Sequence, residues 1–81
     1  MTSDEIRTIV LETLKGIAPE IEEGELRPDR LLRDQVDLDS MDWLNFLVGL
    51  HRLLRVEIPE ADYRKLTTLE ALVAYLVQKG V

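Results

Sequence analysis

An all-α fold with three substantial helices and one short one is the reading this sequence supports. Apolar residues return at helical spacing in three separate segments. Two Thr-x-x-Glu sequences stand where two of those segments begin. Leucine and other strong helix formers dominate an apolar fraction of 46%, while aromatics reach only 5%. Residues 1–81 are read as one domain, near the small end of what folds without staples.

Thr2 and Glu5 form the first capping box, and Asp4 and Glu5 favour the positive end of a helix dipole. Ile6, Ile9, Val10, Leu14 and Ile17 follow as a core stripe. Gly16 and Pro19 bracket the end, so helix one is expected from about Ser3 to Lys15. Between Ala18 and Asp39 the period breaks at Pro19, Gly24 and Pro28, with one possible turn from Asp29 to Arg33. Loops above ~12–15 residues tend to be functional or disordered. The interspersed Ile21, Leu26, Leu31, Leu32, Val36 and Leu38 argue for order, as pins that hold a long crossover onto the helices.

Helix two starts at Asp39 or Ser40, two residues that both accept hydrogen bonds from orphan N–H groups, and Asp42 is placed to satisfy the first turn. It runs to Leu54 with two apolar faces. Phe46, Leu47, Leu50 and Leu54 suit the core, whereas Met41, Leu44 and Val48 are rotated away and are read as a partner surface. Trp43, beside the helix start, suits either environment. Pro59 breaks the chain and begins a short helix to about Tyr63. Thr67 and Glu70 form the second capping box, before a last stripe of Leu69, Leu72, Val73 and Leu76. Gly80 closes that helix.

Several function classes drop out. The absence of cysteine removes disulfides, zinc ribbons and thiol nucleophiles. The one histidine, His51, is eleven residues from Ser40, ~16 Å along a helix, too far to activate it. It is read as a surface residue. No carboxylate spacing matches a calcium loop, and no metal site is expected. A net charge of −6 argues against nucleic acid and for basic protein surfaces. Nothing reads as a membrane span or signal peptide, so a cytoplasmic monomer without catalytic residues is expected. A serine at a helix tip, flanked by carboxylates and beside an apolar patch, suits modification by another enzyme.

Asp39-Ser40-Met41-Asp42 before an apolar helix, then Glu57-Ile58-Pro59, then Lys65-Leu66-Thr67-Thr68-Leu69, resembles a free-standing acyl carrier protein over nearly the whole chain. The resemblance implies a four-helix bundle with a long first loop and a short third helix. It implies that Ser40 bears a 4′-phosphopantetheine arm, installed from coenzyme A by a magnesium-dependent phosphopantetheinyl transferase. Acyl groups would ride on the arm's thiol as thioesters, which suits a chain that has no thiol of its own. Asp39 and Asp42 would present Ser40 to the transferase. Met41, Trp43, Leu44, Val48 and Arg52 would dock partners, including an acyl-loading ligase or acyltransferase and downstream synthase enzymes.

Two departures narrow that picture. Asp37 stands where the family often has glycine. Ser40 to Arg55 holds one acid, Asp42, against Arg52 and Arg55, whereas the carriers of fatty-acid synthesis have a strongly acidic helix here. The negative charge lies instead between Glu20 and Asp39, where eight acids oppose three arginines. A specialised carrier in fatty-acid, polyketide or other secondary-metabolite synthesis is therefore expected. The alternatives are an aminoacyl or peptidyl carrier with the same arm, and a helical interaction module in which Ser40 is only a cap.

Overall fold

The computed structural model describes all 81 residues and contains no β-strand. The elements are α1 (Ser3–Ile17), a 3₁₀ turn at Glu23–Glu25, α2 (Leu32–Gln35), α3 (Ser40–Leu54), a 3₁₀ helix at Glu60–Lys65, and α4 (Leu69–Gln78). The expected inventory of three long helices, a short one before the last, and a long first loop is present. Its details differ in five places.

Helix α1 begins as its sequence dictates. The Thr2 hydroxyl accepts from Glu5 N–H while the Glu5 carboxylate accepts from the Thr2 N–H and hydroxyl. The Thr2 backbone donor, then its hydroxyl, hold the Glu5 carboxyl below its ordinary value of 4.5. The helix passes through Gly16 to end at Ile17, two residues beyond the expected end. Ile6, Val10 and Leu14 are wholly buried, with Ile9 and Ile17 half-buried at the stripe's edge.

Both α3 and α4 pack against α1. At Gly49 the α3 backbone comes close to α1: a Cβ there would stand 3.0 Å from Thr13 Cγ2. The Thr13 hydroxyl donates to Ile9 O at 2.7 Å, which fixes the rotamer that presents this methyl. The core between the long helices is aliphatic apart from Phe46, and every buried side chain is apolar.

The long loop is ordered by pins and by stitches. Ile21, Leu32, Val36 and Leu38 are buried as expected, and Leu26 is half-buried. Leu31, also expected as a pin, is 46% exposed. It forms an isolated bridge to Thr68, and in extended chain the neighbours Leu31 and Leu32 face opposite ways, so only Leu32 enters the core. The single turn expected at Asp29–Arg33 falls at Leu32–Gln35 instead. Gln35 then closes the loop on itself: its carboxamide oxygen accepts from Arg27 N–H, and its nitrogen donates to Arg27 O and Arg30 O.

The second capping box does not form. Thr68, not Thr67, caps α4 by accepting from Ala71 N–H at 3.0 Å. Glu70 N–H is spent on Pro28 O, and Thr67 O accepts from Leu32 N–H. The loop has taken the Glu70 N–H that the box would use. The short helix before α4 is 3₁₀ in type and runs Glu60–Lys65, with Pro59 as its cap rather than its first residue.

Asp39 is the N-cap of α3, and its carboxylate accepts from Asp42 N–H at 2.8 Å. Asp39→Ala should therefore cost ~0.5–2 kcal/mol, while Ser40→Ala, which removes no capping bond, should stay within ~0.5 kcal/mol of the parent. Urea unfolding of both variants checks this, and the reverse ranking would assign the cap to Ser40.

The Tyr75 hydroxyl donates to Asp62 Oδ2 at 2.7 Å and ties the 3₁₀ helix to α4. Burial, then this bond to the carboxylate, push the Tyr75 phenol up to about 12. The same bond, more than Lys65 nearby, holds the Asp62 carboxyl below its ordinary 3.8. A lowered carboxyl stabilises the fold above its unfolded value and loses that contribution as pH falls through the folded one. A raised phenol contributes below pH 10 and loses its contribution as pH rises toward about 12. Tyr75→Phe should flatten both limbs of the stability–pH curve, measured by urea unfolding from acid to alkaline pH.

Candidate functional site at the start of the third helix

The site is built on the first turn of α3. Leu38, only 6% exposed, anchors the incoming chain, and Asp39 then adopts the extended geometry of a cap (φ −83°, ψ 179°). Because the Asp39 carboxylate takes the Asp42 N–H, Ser40 becomes the first helical residue with its hydroxyl free of any intramolecular hydrogen bond. Ser40 is exposed, and Asp42 is half-buried in the same turn, where a carboxylate complements the helix dipole. The helix is unbroken from Ser40 to Leu54, so His51 stays ~16 Å away along the axis. Its Nδ1 lies 2.6 Å from Val56 O; a carbonyl oxygen only accepts, so this nitrogen carries the proton. His51 is exposed, as expected, and serves the end of its own helix.

Both expected faces of α3 are present. Phe46, Leu47, Leu50 and Leu54 are buried. Met41 (64% exposed), Leu44 (41%) and Val48 (38%) form an outward strip that begins beside Ser40, and Arg52 continues it one turn on. Trp43 turns between the faces: half-buried, its ring centroid is 5.4 Å from that of Phe46. Beside Val48 lies an open hollow of about 340 Å³, walled by Leu47, Ile58, Pro59 and Tyr63.

Sequence reasoning missed a second hollow, of about 250 Å³, in which Trp43 and Tyr63 meet Leu31, Arg33, Arg64 and Thr67. Its residues come from three segments distant in the chain, and no local pattern brings them together. No three His, Asp or Glu side chains are gathered in a way that could hold a metal ion.

The arrangement can offer one thing chemically: a serine oxygen presented to another molecule on a rigid, capped helix end. That is what covalent attachment of a prosthetic arm requires, and the exposed, unengaged hydroxyl fits it.

A family model described as the phosphopantetheine attachment site matches residues 4–76. The chain is similar to the acyl carrier protein of Rubrobacter xylanophilus, at 28% identity over 75 residues, which spans 89% of this chain and 93% of that protein. The acyl carrier protein of Chlorobium luteolum is 27% identical over 79 residues, spanning 98% of this chain and 100% of its own length. That of Streptomyces coelicolor is 27% identical over 75 residues, covering 93% and 77%. A covalently attached 4′-phosphopantetheine is the prosthetic group these matches imply, and proteins that bear it in this way are carriers rather than catalysts. The chain belongs to the phosphopantetheine-attachment family of acyl carrier proteins.

Proposed function

We propose that residues 1–81 work as one carrier domain, with the Ser40 oxygen as the point of attachment. One observation carries this reading: the Ser40 hydroxyl is exposed and uncommitted at a helix start that Asp39 has already capped. When bound, the arm supplies a thiol that holds an acyl group as a thioester, chemistry that a chain without cysteine cannot provide. Asp39 keeps the serine presented by holding the first turn, and Asp42 completes the acidic pair that faces the transferase and its magnesium ion.

Met41, Leu44 and Val48, with Trp43 and Arg52 at their edges, form the docking surface for the transferase, for a loading ligase or acyltransferase, and for later synthase enzymes. No helix is long and apolar enough to cross a membrane, and we place the carrier in the cytoplasm. The outward face of α3 carries Arg52 against Asp42 and no row of carboxylates. This supports a specialised carrier in fatty-acid, polyketide or other secondary-metabolite synthesis, with partners of its own.

Incubation with coenzyme A, magnesium and a broad-specificity phosphopantetheinyl transferase should add one phosphopantetheine by intact mass, and Ser40→Ala should add none. No gain on a folded sample that started without the arm would instead leave an interaction module with a serine on its helix. Leu44→Glu should lower kcat/KM for that transfer by about tenfold, the scale of one modest interface hot spot. Its Tm should barely move, because Leu44 is already 41% exposed. An unchanged rate would remove Leu44 from the docking surface.

A further inference from the structure

The hollow that joins Trp43 to Tyr63 gathers aromatic and cationic side chains. Two aromatic side chains, both half-buried, line it together with Leu31, an aliphatic side chain left 46% exposed. Arg33 and Arg64 line it as well. In a chain with 16 carboxylates and a net charge of −6, neither guanidinium forms an ion pair; the one salt bridge joins Lys65 to Asp62. The nearest acid in sequence to Arg64 is Asp62, which is engaged by the Tyr75 hydroxyl and by Lys65.

Two rings and two free guanidiniums around one hollow have a shared complement. Aromatic faces accept a flat ring, and guanidinium groups both stack on rings and pair with carboxylates through parallel hydrogen bonds. At about 250 Å³ the hollow is smaller than the ~300–1,000 Å³ pockets that take drug-sized ligands, so it suits a single ring. It is also placed to be served from Ser40. Trp43 lies three residues on, ~4.5 Å along the same helix, within easy reach of a flexible arm.

We infer that this hollow is a cargo site, and that the cargo it receives is an aromatic acyl group bearing a carboxylate. The ring lies between Trp43 and Tyr63, and the carboxylate meets Arg33 and Arg64. The inference rests on Ser40 being the attachment point and adds the chemical class of what the arm carries.

Trp43 is the only tryptophan, so its emission reports on the hollow directly. The protein would be loaded from four coenzyme A thioesters: 4-carboxybenzoyl, benzoyl, glutaryl and hexanoyl. Intact mass confirms loading, and Trp43 emission and the amide resonances of Tyr63 and Arg64 are then compared. The carboxybenzoyl form should give the largest change in all three. The double variant Arg33→Gln, Arg64→Gln should lower its docked-to-free ratio by about tenfold, the scale of two partly screened charge pairs. Equal responses from all four groups, or the largest from glutaryl or hexanoyl, would overturn the assignment. A mass that shows the arm with a silent Trp43 removes the cargo site alone. A mass that never changes removes the attachment point, and the cargo site with it.

Discussion

A single hydrogen bond, from Asp42 N–H to the Asp39 carboxylate, decides what the third helix can do. A helix start leaves four N–H groups without partners, and the side chain at the cap satisfies one of them. Serine and aspartate are about equally good at this, so either residue of the Asp39-Ser40 pair was competent. Had Ser40 been the cap, its oxygen would face back into the helix and be occupied. With Asp39 as the cap, the serine moves to the first helical position and its oxygen is released to solvent. The bond matters because the helix behind it is held firmly, by burial of Phe46, Leu47 and Leu50 and by the close approach of Gly49 to Thr13. An oxygen on a frayed end would be accessible but not presented.

That same helix forgoes some burial energy. Met41, Leu44 and Val48 leave apolar surface in water that would be worth ~25 cal/mol per Å² if covered. Nothing in the packing demands this, because the opposite stripe already closes the core. Exposed apolar surface of this kind is what a docking partner can cover, and this strip starts beside Ser40. On the proposed function, the attachment serine and the docking surface are parts of one rigid element.

Much of this was legible in the chain because it is local. The Thr2–Glu5 box, the α1 stripe and the two faces of α3 each depend on residues within a few turns of one another. Apart from shifted element ends, as at Ile17 and Pro59, the failures were long-range. Thr67 and Glu70 have the right spacing for a capping box, but their backbone groups are taken by Leu32 and Pro28 from the far loop. The cap then passes to Thr68. Leu31 reads as a pin because it is leucine; a bridge to Thr68 turns it outward. Gln35 holds the loop backbone at Arg27 and Arg30, and glutamine in a loop gives no sign of that. The serine and its capping aspartate, neighbours in sequence, were visible at once. The hollow shared by Trp43, Arg33 and Arg64 was not, since it exists only after the loop has been stitched to α4.

The charge pattern ties the loop to the helix in a second way. The protein is acidic overall, yet its negative groups crowd the segment between Glu20 and Asp39, while α3 ends with Arg52 and Arg55. The helix is 15 residues long, ~22 Å, which exceeds the ~8 Å screening length of physiological salt. A partner lying along α3 therefore meets two fields rather than one average: acidic near the serine end, basic near Arg52. A partner with a uniformly basic surface would be attracted at one end of the helix and opposed at the other. One with a graded surface would be oriented, its catalytic centre drawn to the serine end. Net charge alone predicts attraction to any basic protein; the distribution of the same charges along this helix selects for direction.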